Sequence, residues 1–277
     1  MAVLYSGTGR EFTIHTSQQE NAMIGIDVHY GRTDGAGYYL IRIPKYTIDG
    51  KRLMPRVAIT SADGSLTGAK CSALDYAKRE NTVFVLNAGL FNTATLLPQG
   101  QTIVAGISYT DSPMTDDMGT AISNAECYPL CIDGNGDLSA PYDRSVSTAA
   151  MIGDGVKYAV TGWGQLMGAF VQSGTDKFNE IVHPGNYIRQ CIGQYDNGDY
   201  MVCTVDAGRN GIAANDAGMT YAALAELLAA QGVKFAYALD GGGSTETVIG
   251  KRQINPVYEG TSGRKIPTVI RFDVVEA

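Results

Sequence analysis

Three consecutive glycines stand between two strand-like runs, in Ala238-Leu239-Asp240-Gly241-Gly242-Gly243-Ser244-Thr245-Glu246-Thr247. The preceding run, Val233 to Leu239, is apolar and aromatic enough to predict a buried strand. The following run, Thr245 to Ile249, is rich in β-branched residues and predicts a second strand. We therefore expect a loop that presents a carboxylate and two hydroxyls at a strand end.

This loop holds more glycine than a tight turn requires. Two residues are enough to join a β-hairpin, and each glycine loses much chain entropy on folding. One interpretation is a glycine-rich turn with a solvated Asp240. The other is a site where Asp240 and the amides of Gly241 to Ser244 converge on a polar ligand, because glycine lets a ligand approach the backbone.

Composition narrows the class of protein. The chain has 277 residues, of which 44% are hydrophobic and 18% charged, so it can bury a core. The 34 glycines favour a turn-rich protein with much β-structure. A net charge of −7 opposes nonspecific binding to nucleic acid or to anionic membranes. No apolar run is long enough for a membrane span.

Cysteine usage and the N-terminus bear on the compartment. The five cysteines are odd in number and widely spaced, which favours a reducing environment. Cys127 and Cys131 form a C-x3-C pair that supports a zinc site only weakly, whereas Cys191 and Cys203 lie in apolar runs as expected of core thiols. Residues 1–7 lack a basic and an apolar signal region, so we expect cytoplasmic synthesis without a signal peptide.

The remaining pattern predicts an α+β protein in which helices flank a central mixed β-sheet, folded as a single domain over residues 1–277. In chain order, the sequence predicts strands at Tyr38–Ile43 and Val57–Thr60, a helix at Thr67–Glu80 capped by Thr67, strands at Thr82–Leu86 and Thr102–Tyr109, a turn at Asp133–Asp137, a hairpin of Tyr187–Tyr195 with Tyr200–Val205, a helix from Thr220 to Gly232, and a strand at Ile266–Val275. Trp163, between two glycines, is either a packed core residue or a platform for a sugar ring.

Polar residues follow several of the predicted strands. Asn87 ends one strand, Asp206 and Arg209 follow another, and Asp240 follows the strand before the glycines. Asn87 is either a turn former or a pocket residue. Arg189 stands inside an apolar strand, where it is either an exposed edge residue, a structural partner of Asp206 or part of the same site.

Four ordered blocks resemble the phosphodiester glycosidase family, which contains an enzyme that removes N-acetylglucosamine from a phosphodiester. The blocks are Leu86-Asn87-Ala88-Gly89-Leu90-Phe91, Arg189-Gln190-Cys191-Ile192-Gly193, Val205-Asp206-Ala207-Gly208-Arg209 and Leu239-Asp240-Gly241-Gly242-Gly243-Ser244-Thr245. The resemblance runs from about residue 81 to residue 249, and residues 1–80 are either an N-terminal extension or the first part of the same domain. Ala88, Leu90, the inserted Ala207 and Glu246 depart from the family pattern and bear on the substrate.

The resemblance implies a hydrolase that cleaves the bond between a sugar and a phosphodiester. Asp240 and Asp206 are the expected catalytic pair, with Glu246 in reserve, because glycoside cleavage generally uses two carboxyl groups. The expected substrate-binding residues are Asn87 for a sugar hydroxyl or acetamido group, Arg189 and Arg209 for the phosphate, and Gly241, Gly242, Gly243, Ser244 and Thr245 as an anion nest. No metal set is evident, although such a carboxylate-rich site could admit calcium.

Two functional interpretations stay open at this point. One is an active glycosidase that acts on sugar phosphodiesters in a glycan or cell-wall polymer. The other is a carbohydrate-binding or structural module that uses the fold without turnover. A chain without a signal peptide could also leave its cell by lysis as a bacteriophage virion or tail protein, with other phage structural proteins or further copies of itself as partners.

Overall fold

The computed structural model describes residues 3–6, 11–17, 23–33, 35–112, 114, 127–143, 145–167, 185–206, 217–256 and 263–275. Among these residues no helix is long and apolar enough to cross a membrane.

The strands are β1 (Val3–Ser6), β2 (Glu11–Ser17), β3 (Met23–Thr33), β4 (Ala36–Ile43), β5 (Arg52–Ile59), β6 (Phe84–Asn87), β7 (Phe91–Asn92), β8 (Leu97–Pro98), β9 (Gly100–Val104), β10 (Ile107–Ser112), β11 (Pro129–Ile132), β12 (Leu138–Ser139), β13 (Tyr158–Thr161), β14 (Gly164–Met167), β15 (Arg189–Gln194), β16 (Tyr200–Asp206), β17 (Phe235–Ala238), β18 (Thr247–Ile249), β19 (Arg252–Gln253) and β20 (Thr268–Val275). The helices are α1 (Ala73–Glu80), α2 (Thr148–Gly153) and α3 (Tyr221–Ala230), with a 3-10 turn at Gly242–Ser244.

The largest sheet has eight strands in the order β1-β2-β3-β4-β16-β15-β17-β14. The predicted hairpin is confirmed as β15 and β16, in which Arg189 lies opposite Val205. β17 pairs with the other side of β15 and places Ala238 opposite Cys191. β15 is therefore a central strand of this sheet, and its two neighbours carry the other polar strand ends.

Two five-stranded sheets complete the fold, one ordered β19-β18-β6-β20-β5 and the other β10-β9-β13-β11-β12. A two-stranded ribbon of β7 and β8 is added to them. The α+β class and the single domain are confirmed. The expected central mixed sheet needs correction in one respect, because every ladder between described strands is antiparallel.

The described strands among the first eighty residues belong to the same sheets as later strands. β4 pairs with β16 from Gly37 to Ile43, and β5 pairs with the last strand, β20. Sheet hydrogen bonds thus join residues that are more than 150 positions apart, as between Gly37 and Asp206.

The main core lies between the eight-stranded sheet and the sheet that contains β6 and β20. Phe272 packs edge-on against Phe84 and Tyr200, with ring centroids 5.4 Å and 5.2 Å apart. Such aromatic pairs contribute about 0.5–1.5 kcal/mol beyond the burial of their area. The Tyr200 hydroxyl donates to the carbonyl of Gly136 at 2.9 Å, which ties the confirmed turn at Asp133–Asp137 to this core.

Helix α3 covers the other face of the eight-stranded sheet. Its N-cap is Thr220, as predicted, with Oγ1 accepting from the amide of Ala223 at 3.1 Å. The helix ends at the cap Gln231, and Gly232 follows with φ +78°, the left-handed conformation in which glycine is favoured. Leu224 and Leu228 are buried against the sheet.

Helix α1 begins later than predicted. Ser72, not Thr67, is its N-cap, and Ser72 Oγ accepts from the amide of Asp75 at 3.1 Å. The residues before it form a loop around the ammonium of Lys70, which donates to the carbonyls of Ser65, Leu66 and Gly68. These carbonyls accept from one buried ammonium and face inward around it, so the loop does not offer them to the amides of a helix.

The strand predicted at Thr102–Tyr109 is wrong in extent, because the chain reverses inside it to form β9 and β10. Ala105 and Gly106 make the turn with φ of +52° and +77°. A two-residue hairpin turn with both φ values positive matches the right-handed twist of the flanking strands. By contrast, the strands predicted at Tyr38–Ile43, Thr82–Leu86 and Ile266–Val275 are confirmed as β4, β6 and β20.

Candidate active site

The glycine loop crosses from one sheet to another. β17 belongs to the eight-stranded sheet, whereas β18 belongs to the sheet of β6 and β20. The two flanking strands predicted from sequence are therefore confirmed, and they do not form a hairpin with each other. The interval from Asp240 to Glu246 spans the gap, which explains why the connection is longer than a hairpin turn needs.

The loop packs directly on the chain that leads into β15. A Cβ added to Gly241 would lie 2.7 Å from the carbonyl oxygen of Ile188, and the amide of Gly242 donates to that oxygen at 3.0 Å. Gly242 has φ +57°, a left-handed backbone conformation that favours glycine. The close approach to Ile188 is made by its neighbour Gly241. The glycine requirement here is thus explained by packing and backbone geometry.

The amides of the loop have acceptors within the protein. Gly241 donates to Oδ1 of Asp240, Gly242 donates to Ile188, and Ser244 donates to the carbonyl of Gly241. The amide of Thr245 donates to the carbonyl of Gly242 at 3.2 Å. Most of the expected anion nest is therefore engaged in holding the loop itself, and a role of these residues in substrate binding stays a prediction.

Asn87, at the end of β6, lies between the two ends of the glycine loop. Its Nδ2 donates to the carbonyl of Asp240 at 2.7 Å, and its Oδ1 accepts from the amide of Glu246 at 3.1 Å. The backbone N–H of Asn87 also donates to the carbonyl of Glu246, and the backbone N–H of Asp240 donates to the carbonyl of Ala88. The side chain is 1% exposed, so its observed contacts are with the loop backbone, while sugar binding stays a prediction.

Asp240 presents a carboxyl group at the edge of this loop. The residue is half-buried. Burial raises the pKa of the Asp240 carboxyl to about 6, although the Ser244 hydroxyl, the Gly241 amide and the charge of Arg264 all favour the ionised form. A carboxyl with this pKa holds its proton in part at near-neutral pH, as a general acid must.

Arg189 is buried, with 3% of its surface exposed. Its Nε donates to the carbonyl of Met219 at 3.1 Å and its Nη2 donates to the carbonyl of Gly185 at 2.9 Å. Its Cζ lies 3.8 Å from the ring centroid of Tyr221 and 5.0 Å from that of Tyr187. The alternative of an exposed edge-strand residue is wrong, since β15 is central and the buried guanidinium lies over two aromatic rings.

Asp206 ends β16, opposite Gly37 of β4. Burial raises the pKa of the Tyr39 hydroxyl, and the charge of Asp206 raises it further. Side chains alternate between the two faces of a strand, so Asp206 lies on the same face of β16 as Thr204. Cys203 lies on the other face of β16, which packs on helix α3, as does Ala238 of β17. β15 separates the strands that carry Asp206 and Asp240, so their joint action in catalysis stays a prediction. Arg209 lies outside the described residues.

Glu246 points into the protein rather than into solvent. Its side chain is 1% exposed, and its Oε2 accepts from the amide of Ala73 at 2.7 Å, at the positive end of helix α1. Burial raises the pKa of the Glu246 carboxyl to about 8, against the effect of the surrounding amides. A Cβ added to Gly263 would overlap Oε1. Its reserve catalytic role stays a prediction.

A polar network that the sequence pattern did not single out joins the two sheets behind the loop. Thr247 Oγ1 accepts from Nε2 of Gln190 at 2.9 Å and lies 2.7 Å from Oγ1 of Thr204. Asn255 accepts from the amide of Thr247 and donates to the carbonyl of Thr245. Gln190, a polar residue in a strand predicted to be mostly apolar, is the one sequence signal that could have indicated this network.

Trp163 packs beside the strand that leads into the loop. Its amide donates to the carbonyl of Ala238 at 2.8 Å, and its partly buried side chain contacts two hydrophobic clusters. A Cβ added to Gly162 would overlap the same carbonyl, so the glycine lets the two segments approach. The core-packing role is observed.

The described residues contain no group of three or more His, Cys, Asp or Glu side chains placed to hold a metal ion. All five cysteines are free thiols, and Cys191 and Cys203 are fully buried, as expected of core residues.

A prophage-derived bacterial protein is similar to this chain in sequence. The chain is 25% identical over 275 residues to the SPbeta prophage-derived uncharacterized protein YomE of Bacillus subtilis (strain 168), a match that covers 94% of this chain and 38% of that protein. The chain thus spans well under half the length of this relative.

Solved structures share the fold at low identity. The zebrafish N-acetylglucosamine-1-phosphodiester alpha-N-acetylglucosaminidase catalytic domain, auto-inhibited by pro-peptide, superposes with a TM-score of 0.62 at 17% identity, covering 96% of this chain and 88% of that chain. A hypothetical protein from Synechocystis gives a TM-score of 0.61 at 13% identity, covering 91% and 62% of the two chains. The family profile described as phosphodiester glycosidase matches residues 80–272, which is most of the chain, and this protein therefore belongs to the phosphodiester glycosidase family.

Proposed function

We propose that this protein hydrolyses the bond between a sugar and a phosphodiester in a glycan or cell-wall polymer, with Asp240 as the proton donor. The observation that carries the proposal is a half-buried carboxyl group, held at the end of a central strand, whose pKa is about 6. An ordinary solvated aspartate is ionised at neutral pH and has no proton to give.

In the proposed reaction water attacks the anomeric carbon and the bond from that carbon to the phosphate oxygen breaks. Asp240 gives its proton to the departing oxygen, and the products are a free sugar and a phosphomonoester. Asp206 is the candidate carboxylate that takes a proton from water. A phosphate departs more easily than an alkoxide and therefore needs less help from a proton donor. A carboxyl group with a pKa near 6 is acidic enough to give that help.

Positive charge beside the loop supports the choice of an anionic substrate. Arg264 is close enough to Asp240 to lower the pKa of its carboxyl, and Arg189 is held immediately behind the loop. A phosphate next to Asp240 would therefore meet a favourable field, although the protein has a net charge of −7. The field also discriminates against neutral glycosides, which gain nothing from it.

We also propose that the polymer is a bacterial surface glycan and that the protein is a bacteriophage component. The prophage origin of the Bacillus subtilis relative supports this context. That relative is much longer than this chain, as expected of a protein that carries the domain together with other parts. Other virion proteins, or further copies of the chain, would then be its partners.

The test is to incubate the protein with an N-acetylglucosamine-1-phosphodiester and with wall teichoic acid, and to measure released sugar. Asp240→Asn should lower the turnover by about 10²–10⁴-fold while glycan binding is retained. Asp196→Asn is the matched control, because Asp196 lies in the hairpin turn at the other end of β15 with its side chain 78% exposed. It should be fully active.

A parent protein that releases no sugar but binds these glycans would instead establish the carbohydrate-binding module. Equal turnover in Asp240→Asn and the parent would remove Asp240 from the mechanism.

A further inference from the structure

Tyr187 stands apart from the other aromatic residues near the glycine loop because almost half of it is exposed. Its relative exposure is 47%, whereas Tyr221, the second aromatic ring beside the Arg189 guanidinium, is 1% exposed. Arg189 therefore has one buried and one exposed aromatic neighbour.

The position of this ring is set by the protein. The guanidinium of Arg189 lies over the Tyr187 ring at 5.0 Å from its centroid, and the guanidinium itself is held by the carbonyls of Met219 and Gly185. Tyr187 and Met219 exchange backbone hydrogen bonds at 3.2 Å and 2.9 Å. A Cβ on Gly185 would lie 3.1 Å from the ring, so glycine leaves the ring room to lie against the chain.

The ring also adjoins the candidate active site along the backbone. Ile188, the next residue, accepts the hydrogen bond from the amide of Gly242, and Arg189 follows at the start of β15. Tyr221, which also contacts Arg189, is within electrostatic reach of Asp240: burial raises the pKa of the Tyr221 hydroxyl, and the charge of Asp240 raises it further. The contacts of Arg189 with both tyrosine rings thus lead from the solvent-exposed Tyr187 toward Asp240, the proposed acid.

From this arrangement we infer that Tyr187 is a stacking platform for a sugar ring of the substrate polymer. This sugar would be next to the one whose bond to phosphate is cleaved at Asp240. A pyranose presents a flat face of C–H groups, which packs on the face of an aromatic ring, while the tyrosine hydroxyl can bond at the rim. A ring that is already held by Arg189 and Gly185 loses little freedom when a ligand covers it. This inference rests on the proposed function for the identity of its ligand.

The platform would make the protein selective for polymers over small diesters. A substrate with a single sugar fills only the place beside Asp240, so it gains nothing from Tyr187. A polymer with a further sugar in reach also covers the tyrosine ring. The affinity for the polymer should therefore depend on Tyr187, and the turnover of a bound small substrate should not.

The experiment measures the binding of wall teichoic acid by calorimetry in Asp240→Asn protein, so that no substrate is consumed. Adding Tyr187→Ala or Tyr187→Leu should weaken binding by about 10-fold, and adding Tyr187→Phe should leave most of it, since the flat ring is kept. The Leu variant retains apolar bulk without the flat face. Tyr46→Ala is the matched control, because Tyr46 is also exposed, at 53%. It follows the end of β4 at Ile43, whereas the other end of β4 pairs with Asp206.

A second readout separates this inference from the proposed function. In Asp240-containing protein, Tyr187→Ala should leave the turnover of a one-sugar phosphodiester within about 2-fold of the parent, while KM for the polymer rises about 10-fold. Unchanged polymer binding in folded Tyr187→Ala, or a parent that cleaves the small diester without binding the polymer, would overturn the platform and leave the proposed function standing. Polymer binding that depends on Tyr187 in a protein without turnover would sustain the platform and overturn the enzymatic proposal.

Discussion

The side-chain amide of Asn87 and the backbone carbonyl of Asp240 are joined by a hydrogen bond of 2.7 Å, although 153 residues separate them in the chain. Through this bond β6 holds the residue that we propose as the acid. The Oδ1 atom of the same side chain accepts a hydrogen bond from the backbone amide of Glu246, at the far end of the loop. One buried side chain therefore determines the span of the glycine loop.

Replacing Asn87 by Asp should disturb the loop without changing the size of the side chain. The new carboxyl has no N–H for the carbonyl of Asp240, and leaving such a buried acceptor unpaired costs about 1–3 kcal/mol of unfolding free energy. We expect that loss in urea unfolding, together with a larger loss of turnover. Asn92→Asp is the control, because Asn92 uses Oδ1 to accept from Ala94 and Thr95, which a carboxylate also does. Equal stability of the two variants would contradict the assigned role of Asn87.

The pH dependence of turnover should report the Asp240 carboxyl. If its protonated form is the acid, kcat/KM for the small diester falls as the pH rises above about 6, where the proton is lost. The charge of Arg264 lowers this pKa, so Arg264→Gln should move the alkaline limb to higher pH. The measurement is a pH profile of both proteins between about pH 4.5 and 8.5. A limb that stays in place in Arg264→Gln would exclude Asp240 as its source.

Glu246 should make the protein less stable as the pH rises. Its pKa in the folded protein is raised to about 8, against about 4.3 in an unfolded chain, so the folded state binds the proton more tightly between these values. The free energy of unfolding therefore falls from about pH 4.5 to pH 8, and the nearby charge of Asp75 adds to the effect. Glu246→Gln has no carboxyl to ionise at this position. Its free energy of unfolding at pH 9 should therefore exceed that of the parent by about 1 kcal/mol or more.

Urea unfolding of both proteins at pH 5 and pH 9 measures this difference. Asp240 contributes in the same direction between about pH 4 and its pKa of about 6, but that contribution is common to both proteins. A Glu246→Gln variant that loses stability equally at both pH values would show that Glu246 is ionised throughout this range.

Gly263 should be far less tolerant of alanine than Gly50. Both have a positive φ, +90° and +82°, so each substitution carries a similar backbone strain of about 1–2 kcal/mol. A Cβ at Gly50 would meet nothing within 4 Å, whereas at Gly263 it would overlap Oε1 of the buried Glu246. We expect Gly263→Ala to lose about 1–3 kcal/mol more than Gly50→Ala in urea unfolding. The excess should shrink in a Glu246→Ala background, and an excess that persists there would place its cause elsewhere.

Local chemistry made much of this protein predictable from sequence. The alternation and capping signals predicted the β15–β16 hairpin and the start of helix α3, because turn residues and N-caps act over a few positions. Four short blocks were enough to predict the family. Local signals failed at α1 and at the β9–β10 turn, where the chain folds around Lys70 and where an alanine adopts φ +52°.

Only the tertiary structure decided what the polar residues do. The sequence by itself determined that Asn87, Asp206 and Asp240 lie at strand ends and that Arg189 lies in a strand. Strand order and the alternation of faces decide which of them meet. The fold turned Asn87 inward to the loop backbone and buried Glu246 at a helix terminus. It also left Tyr187 exposed beside Arg189. Burial and long-range pairing arise between segments that are distant in the chain, and these determine both the pKa of a carboxyl group and the surface that a ligand can reach.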